Sequence, residues 1–214
     1  MKAIIMDFDG TLVDSMSIWR GLGKIYLKSL GVVPKKDLRD RLSRLTLEES
    51  TVYLIEEYNL DKTSEQVKHE INSILRKRFR ELELRPYFLN VLSLFKEQGI
   101  RMCIATANER MHIEAFLESN QLEDYFEFIL TCSETHTTKM TIDIFDLATE
   151  KMNLDRKDVT VVEDALHPIM ACRDSGYHVV ALYDANEINN IDSIKKYSDE
   201  YYYSPEAWYQ KLIE

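Results

Sequence analysis

Residues 3–11 read Ala-Ile-Ile-Met-Asp-Phe-Asp-Gly-Thr, and the order of these residue types decides the fold. The apolar run at its start is typical of a strand that is buried on both faces of a parallel sheet, and we predict that strand over Ala3–Phe8. Gly10 allows the backbone to turn tightly behind it. Asp7 and Asp9 therefore stand at the carboxyl end of the strand, where open α/β sheets bind their ligands.

Four later segments are predicted as further buried strands, and helical patterns separate them. Strand, helix and strand repeated with short links predict right-handed crossovers and a doubly wound parallel sheet. The helical patterns at Pro86–Gln98 and Leu166–Ser175 each end before a glycine, as helices commonly do. The tail at Tyr201–Tyr203 is interpreted as packing, ahead of a short helix. The four strands are Arg101–Thr106, Phe128–Thr131, Val159–Glu163 and His178–Leu182.

The interval between the first strand and Pro86 contains no good strand pattern. Three amphipathic helical stretches fit there instead, and Thr46 with Glu49 forms the pattern of a capping box before the second. We therefore predict an α/β core domain of residues 1–15 and 84–214, with a small α-helical domain of residues 16–83 inserted in it. The three helical stretches are Met16–Leu30, Leu47–Tyr58 and Ser64–Glu83.

Composition excludes several classes of function. The 214 residues carry a formal charge of −10, which would repel nucleic acid and anionic membranes. No apolar run approaches the roughly 18 residues of a membrane span, the N-terminus lacks a signal-peptide pattern, and three dispersed cysteines suit a reducing compartment. We expect a cytoplasmic protein, a monomer or weak homodimer, with no nucleic-acid or membrane partner. Any phosphate ester that it binds requires local cations.

Polar side chains follow the other predicted strands at the same edge of the sheet. Carboxylate oxygens from Asp7, Asp9 and Asp164 are hard ligands that suit Mg²⁺, and the metal would offset charges that otherwise repel a phosphate. A lysine supplies a further cation for phosphoryl oxygens. The residues at this edge are Thr106, Ala107 and Asn108 at the end of the second strand, Lys139 after the third, and Glu163 and Asp164 at the end of the fourth.

These motifs carry a family resemblance. Asp7-Phe8-Asp9-Gly10-Thr11 resembles the DxDGT signature of the haloacid dehalogenase superfamily. Thr106, Lys139 and the Glu163-Asp164 pair fall where its other three motifs should. The helical insert resembles the cap of the branch that contains phosphoglycolate phosphatases and β-phosphoglucomutases. The resemblance spans the chain and implies a Rossmann-like core with a cap that closes over the site.

The resemblance also implies an activity, that of a Mg²⁺-dependent phosphatase for small phosphorylated metabolites. Asp7 would attack phosphorus to form an aspartyl-phosphate, and Asp9 would act as general acid and then general base. Thr106 and Lys139 would complete the catalytic set. The phosphate-binding residues would be Gly10, Thr106, Ala107, Asn108 and Lys139. The metal ligands would be Asp7, Asp9, Glu163 and Asp164, and the cap residues that select the substrate would be Arg20, Lys24, Arg41 and Arg44.

Alternative functions stay open. A β-phosphoglucomutase-like sugar phosphomutase would use the same aspartyl-phosphate and return the phosphoryl group to bound sugar. A non-enzymatic protein could bind phosphate esters without turnover. A receiver module fits badly, because its phosphorylated aspartate ends the third strand and it carries no inserted cap.

Alternative roles for single residues also stay open. Glu163 could form only a structural ion pair with Lys139, and Asn108 could be only the cap of the next helix. The basic residues of the insert could be a solvated face. Lone histidines are more often ordinary core or surface groups, and three lie near the expected edge: His112, His136 and His167.

Overall fold

The structure, a computed structural model, describes residues 1–43 and 45–214, apart from the side chains of Arg20 and Leu47. These residues divide into two compact units. The larger unit comprises Met1–Asp14 and Leu82–Glu214, and the smaller unit is Ser15–Glu81.

The larger unit is built on a parallel sheet. Its described strands follow the order β3-β2-β1-β4-β5-β6, and every neighbouring pair is parallel. β1 is central, with Met6 opposite Ile104 of β2 and Val162 of β4, so the strand order reverses beside it. The doubly wound parallel sheet is confirmed. The strands are β1 (Ala3–Met6), β2 (Arg101–Thr106), β3 (Ile129–Thr131), β4 (Val159–Glu163), β5 (His178–Leu182) and β6 (Glu200–Tyr202).

The smaller unit is helical throughout its described elements. The Thr46 side chain accepts from the Glu49 backbone N–H and the Glu49 carboxylate accepts from the Thr46 N–H, so the predicted capping box is confirmed. Trp19 and the buried Phe79 pack edge to face, with ring centroids 6.0 Å apart. The helices are α1 (Met16–Ser29), α2 (Leu38–Leu42), α3 (Leu47–Tyr58) and α4 (Ser64–Arg80). The short α2 was not predicted, and α4 ends three residues before the predicted Glu83.

Helices α5 to α11 belong to the larger unit. Gly99 and Gly176 have φ of +69° and +87° just beyond α5 and α9, which confirms both predicted ends. The predicted start of α5 was wrong, because Pro86 precedes Tyr87 in a left-handed conformation and the helix begins only at Phe88. These helices are α5 (Phe88–Glu97), α6 (Arg110–Asn120), α7 (Cys132–Thr135), α8 (Asp143–Lys151), α9 (Leu166–Asp174), α10 (Ile191–Tyr197) and α11 (Pro205–Leu212).

The tail adds an edge strand to the sheet. β6 pairs in parallel with β5, with Glu200 opposite Val180, so this segment packs against the sheet as a strand that the sequence did not predict. Three residues are too short to show a strand period, which is the physical reason why the strand was missed. The short helix expected behind it is α11, whose N-cap Ser204 accepts from the Ala207 N–H.

Strand β1 is buried on both of its faces. Ala3 and Ile5 belong to a buried cluster on one side that includes Phe145 of α8 and Cys172 of α9. Ile4 and Met6 alternate with them and are equally buried, so the opposite face is covered as well. A strand fixed from both sides gives the residues behind it a rigid support. Among the described residues, every helix is too short or too polar to cross a lipid bilayer.

Candidate active site

The turn behind β1 is shaped by Gly10. Its φ of +92° lies in the region that only glycine adopts readily, and its N–H donates to the Val13 carbonyl at 2.8 Å. The Leu12 N–H donates back to the Phe8 carbonyl at 3.0 Å, while the Phe8 ring is buried against Phe116. The Asp7 N–H still pairs with β4, so the tight turn begins only after Asp7.

Asp7 is paired with a buried lysine. The Lys139 ammonium donates to Asp7 Oδ1 at 2.5 Å and also contacts a Glu163 carboxylate oxygen. Lys139 comes from the segment between α7 and α8, so the structure brings residues from three separate parts of the chain together. The ion pair between Glu163 and Lys139 that the sequence left open is present.

Glu163 and Asp164 are both fixed by hydrogen bonds. Oε2 of Glu163 accepts from the backbone N–H groups of Asp164 at 2.8 Å and Ala165 at 2.9 Å. The Thr11 hydroxyl donates to Asp164 Oδ1 at 2.9 Å. A Cβ at Gly10 would lie 2.8 Å from the carboxyl carbon of Asp164, so the glycine also makes room for this acid.

Three of the carboxylates form a compact group. Asp7, Glu163 and Asp164 each place an oxygen within 4.8 Å of the others, and all three residues are buried. Burial raises the pKa of Asp7 to about 7, and the negative charges of Glu163 and Asp9 add to the rise. The positive charge of Lys139 lowers this pKa but does not cancel the effect of burial. Burial and the charge of Glu163 raise the pKa of Asp164 as well. Hard oxygen donors with surplus negative charge fit a divalent cation such as Mg²⁺.

Asp9 lies beside an amide. Asn108 Nδ2 donates to Asp9 Oδ2 at 2.9 Å, and the Asn108 backbone N–H donates to the Thr106 hydroxyl at 3.0 Å. The N-cap of α6 is Glu109, so the interpretation of Asn108 as the helix cap was wrong. Asp9 is outside the group of three carboxylates found among the described residues, and its role as a metal ligand stays a prediction.

The remaining predicted residues are less closely tied to this cluster. Thr106 is buried at the end of β2, and Ala107 behind it is exposed. Lys24 and Arg41 are exposed in the smaller unit, where Arg41 Nε lies 3.4 Å from an Asp37 oxygen. Arg44 and the side chain of Arg20 lie outside the described residues.

Arg85 is a residue of this region that the motifs did not reveal. Its guanidinium donates to the Gly10 carbonyl at 2.5 Å and to the Tyr183 carbonyl, behind β5, at 2.9 Å. Its backbone N–H donates to the Leu12 carbonyl at 2.9 Å. Arg85 thus ties the turn behind β1 to the end of β5. An arginine that bonds carbonyl groups leaves no charge pattern in a sequence, so only the fold reveals it.

Comparison with known proteins places the chain in a family. The model of the haloacid dehalogenase-like hydrolase family matches residues 4–182. The chain therefore belongs to the haloacid dehalogenase-like hydrolases, and the predicted family and the prediction of an enzyme are confirmed. The smaller unit lies within the matched range.

Individual relatives agree with this family. A phosphorylated carbohydrates phosphatase of Thermotoga maritima is 24% identical over 177 residues, or 82% of each chain. A solved structure from Thermotoga maritima, named as a β-phosphoglucomutase, has a TM-score of 0.84 at 22% identity and covers 100% of this chain and 99% of its own. The magnesium-bound HAD-hydrolase YfnB of Bacillus subtilis has a TM-score of 0.76 at 14% identity, covering 100% and 99%. These structural likenesses establish the fold.

Proposed function

We propose that the chain is a Mg²⁺-dependent phosphatase that hydrolyses small phosphate monoesters through an aspartyl-phosphate on Asp7. One observation carries the proposal: Asp7 is buried at the end of β1, in contact with Lys139 and beside Glu163 and Asp164. A carboxylate held against an ammonium group offers a nucleophile and a cation for phosphoryl oxygens in one place.

The reaction has two steps. In the first, a carboxylate oxygen of Asp7 attacks phosphorus, the bond from phosphorus to the substrate oxygen breaks, and protonated Asp9 gives its proton to the leaving alkoxide. In the second, Asp9 takes a proton from water, the water oxygen attacks phosphorus, and the bond to Asp7 breaks. Inorganic phosphate leaves, and both acids return to their starting states.

Positively charged and polar groups support the phosphoryl group in both steps. Lys139 would hold its oxygens together with the Thr106 hydroxyl and backbone N–H groups near Gly10, Ala107 and Asn108. Asp7, Glu163 and Asp164 would hold Mg²⁺, and Asp9 would stay available as the general acid and base. When bound, the ion offsets the charge of the carboxylates and stabilises negative charge that develops at phosphorus.

The relatives support this class of substrate. The Thermotoga maritima phosphatase named above acts on phosphorylated carbohydrates, and we extend that substrate class to this chain. We also propose that residues 16–83 act as a cap in which Lys24 and Arg41 select among phosphate esters. The net charge of −10 and the sparse cysteines favour a cytoplasmic enzyme without nucleic-acid partners.

A panel of phosphate monoesters tests the proposal. We expect release of inorganic phosphate that requires Mg²⁺ and disappears with EDTA. Mg²⁺ should also raise the melting temperature, since a ligand at about 100 times its Kd stabilises by about 2.7 kcal/mol. Asp164→Asn should weaken this shift, and Asp155→Asn, an exposed acid outside the cluster, should retain it. A wild-type protein with no Mg²⁺-dependent turnover on the whole panel would refute the proposal.

The phosphomutase alternative has its own observation. The acidic pair Glu163-Asp164 resembles the sugar-phosphate branch, and the neighbour named as a β-phosphoglucomutase aligns over the full chain. Glucose 1-phosphate and glucose 6-phosphate distinguish the two activities. A phosphatase releases inorganic phosphate from them, whereas a mutase interconverts the isomers with little release.

A further inference from the structure

A buried histidine, His112, contacts Asn108, the residue whose side chain donates a hydrogen bond to Asp9. His112 lies in the first turn of α6 with 1% of its surface exposed. Its Nδ1 is 2.9 Å from Oδ1 of Asn108, and Nδ2 of the same amide donates to Asp9 Oδ2 at 2.9 Å. His112, Asn108 and Asp9 therefore form a continuous chain of side-chain contacts. The two-step mechanism assigns no role to His112.

The orientation of the Asn108 amide follows from its neighbours. Oδ1 also faces the backbone N–H of Glu109, which donates to it at 2.7 Å. A rotated amide would point its NH₂ group at that N–H and its oxygen at the Asp9 carboxylate, and both contacts would be repulsive. Oδ1 is therefore the acceptor, and His112 Nδ1 carries the hydrogen that it accepts. The His112 N–H donates to the Glu109 carbonyl at 3.0 Å, which holds the residue in the turn.

We propose that His112 is a positioning residue for the general acid, acting through Asn108; the inference rests on the proposed function of Asp9. Two donors on Oδ1 hold the amide so that its N–H always points at Asp9 Oδ2. An oxygen that accepts this hydrogen bond is disfavoured as the site of the carboxyl proton. Asp9 then carries its proton on Oδ1 and delivers it from there to the leaving oxygen.

Loss of the His112 contact should affect substrates differently according to their leaving group. An alkoxide needs a proton as it departs, whereas nitrophenolate leaves as an anion without one. The value of kcat/KM reports the steps up to departure of the leaving group. A misplaced acid should therefore lower kcat/KM for an alkyl phosphate and spare an aryl phosphate. Damage to the nucleophile, the metal ligands or the fold would lower both together.

Glucose 6-phosphate and p-nitrophenyl phosphate, assayed with Mg²⁺, test this difference. His112→Leu keeps the bulk and removes the donor. It should lower kcat/KM for glucose 6-phosphate about tenfold, less than the roughly 10²–10⁴ that a complete general acid contributes, with p-nitrophenyl phosphate nearly unchanged. His112→Asn should restore the ratio, because its amide N–H can occupy the place of Nδ1. Ile113→Val, an equally buried neighbour on α6, should keep the wild-type ratio.

Each other outcome overturns the inference. Equal losses on both substrates in His112→Leu would show a structural role, and no loss would show that the contact does not matter. Failure of His112→Asn to restore the ratio would show that the hydrogen bond is not the cause. A wild-type protein inactive on both substrates would refute the proposed function and the inference with it, which distinguishes that failure from the others.

Discussion

The Lys139 ammonium group lies 2.5 Å from Oδ1 of Asp7, and the side chains of the two residues are only 10% and 8% exposed. Burial by itself would lower the pKa of Lys139, but the carboxylates of Asp7 and Glu163 outweigh it and hold that pKa above its ordinary value. The lysine is therefore charged at neutral pH. Its charge is matched by two acids, one of which is the proposed nucleophile.

Lys139→Met should lower both the activity and the free energy of unfolding. The variant leaves Asp7 and Glu163 buried without their cation, and breaking a buried ion pair in this way costs about 3–5 kcal/mol. Activity should fall by roughly 10²–10³, the loss seen when one donor to a developing charge is removed. Urea unfolding and phosphate release measure the two effects. Lys211→Met, whose partner Glu214 is exposed, is the control and should change neither.

Asp7→Asn should abolish turnover and stabilise the metal-free protein. The pKa of Asp7 is raised from 3.8 to about 7 chiefly by burial, so its ionised form destabilises the fold. The Asp7 carboxyl group therefore contributes fully to the stability of the fold below about pH 4, and this contribution is lost as the pH rises through about 7. Asparagine avoids that loss and can still accept from Lys139.

Thermal melts in EDTA measure this pH dependence. The melting temperature of Asp7→Asn should rise relative to that of the wild type as the pH rises from about 4 to about 7. Turnover by the variant should be absent at each pH. A variant that melts lower than the wild type near neutral pH would contradict the destabilising role of the buried charge. Residual turnover would remove Asp7 as the nucleophile.

Gly10→Ala should damage the site by two separate effects. Alanine at φ of +92° is strained, and its Cβ would lie 2.8 Å from the carboxyl carbon of Asp164. Gly99→Ala is a matched control, since Gly99 has φ of +69° and a Cβ there would meet no described neighbour within 4 Å. The control should lose about 1–2 kcal/mol from backbone strain alone, with activity kept. Gly10→Ala should lose more stability and most of its activity; equal behaviour of the two variants would show that the contact with Asp164 is unimportant.

Much of this architecture follows from local patterns. Mostly apolar runs predicted five of the six described strands, because a strand covered on both faces needs no polar alternation. Thr46 with Glu49 predicted the start of α3, and Gly99 predicted the end of α5, since caps depend on neighbouring residues alone. The convergence of Asp7, Lys139 and Glu163 followed from the rule that parallel strands end at one edge.

Features that depend on tertiary contacts were not predictable. β6 is three residues long and is held by pairing with β5, not by a sequence period. Asn108 resembles a helix cap until the fold brings Asp9 beside it. Tyr87 takes φ of +68°, which is uncommon for a non-glycine residue and is not marked in the sequence. Arg85 bonds carbonyl groups, which every residue has, so no sequence pattern marks its partners.

Arg85→Lys should show that geometry, and not charge, is what this position requires. The guanidinium reaches the carbonyl of Gly10 and the carbonyl of Tyr183 together, at 2.5 and 2.9 Å. A lysine ammonium is a compact group without the planar, widely spaced N–H donors of a guanidinium, so it cannot reproduce both contacts in this geometry. A buried acceptor left unpaired costs about 1–3 kcal/mol, and the buried Gly10 would lose the contact that holds the turn behind Asp9.

Urea unfolding and steady-state kinetics check Arg85→Lys together. We expect a loss of stability of about 1–3 kcal/mol and a fall in kcat/KM, because the turn carries Asp9 together with the backbone N–H groups near Gly10 that are proposed to hold the phosphoryl group. Arg78→Lys, whose guanidinium lies 3.9 Å from Glu81 at an exposed site, should change neither quantity. If Arg85→Lys matches that control, the carbonyl contacts of Arg85 do not hold the turn.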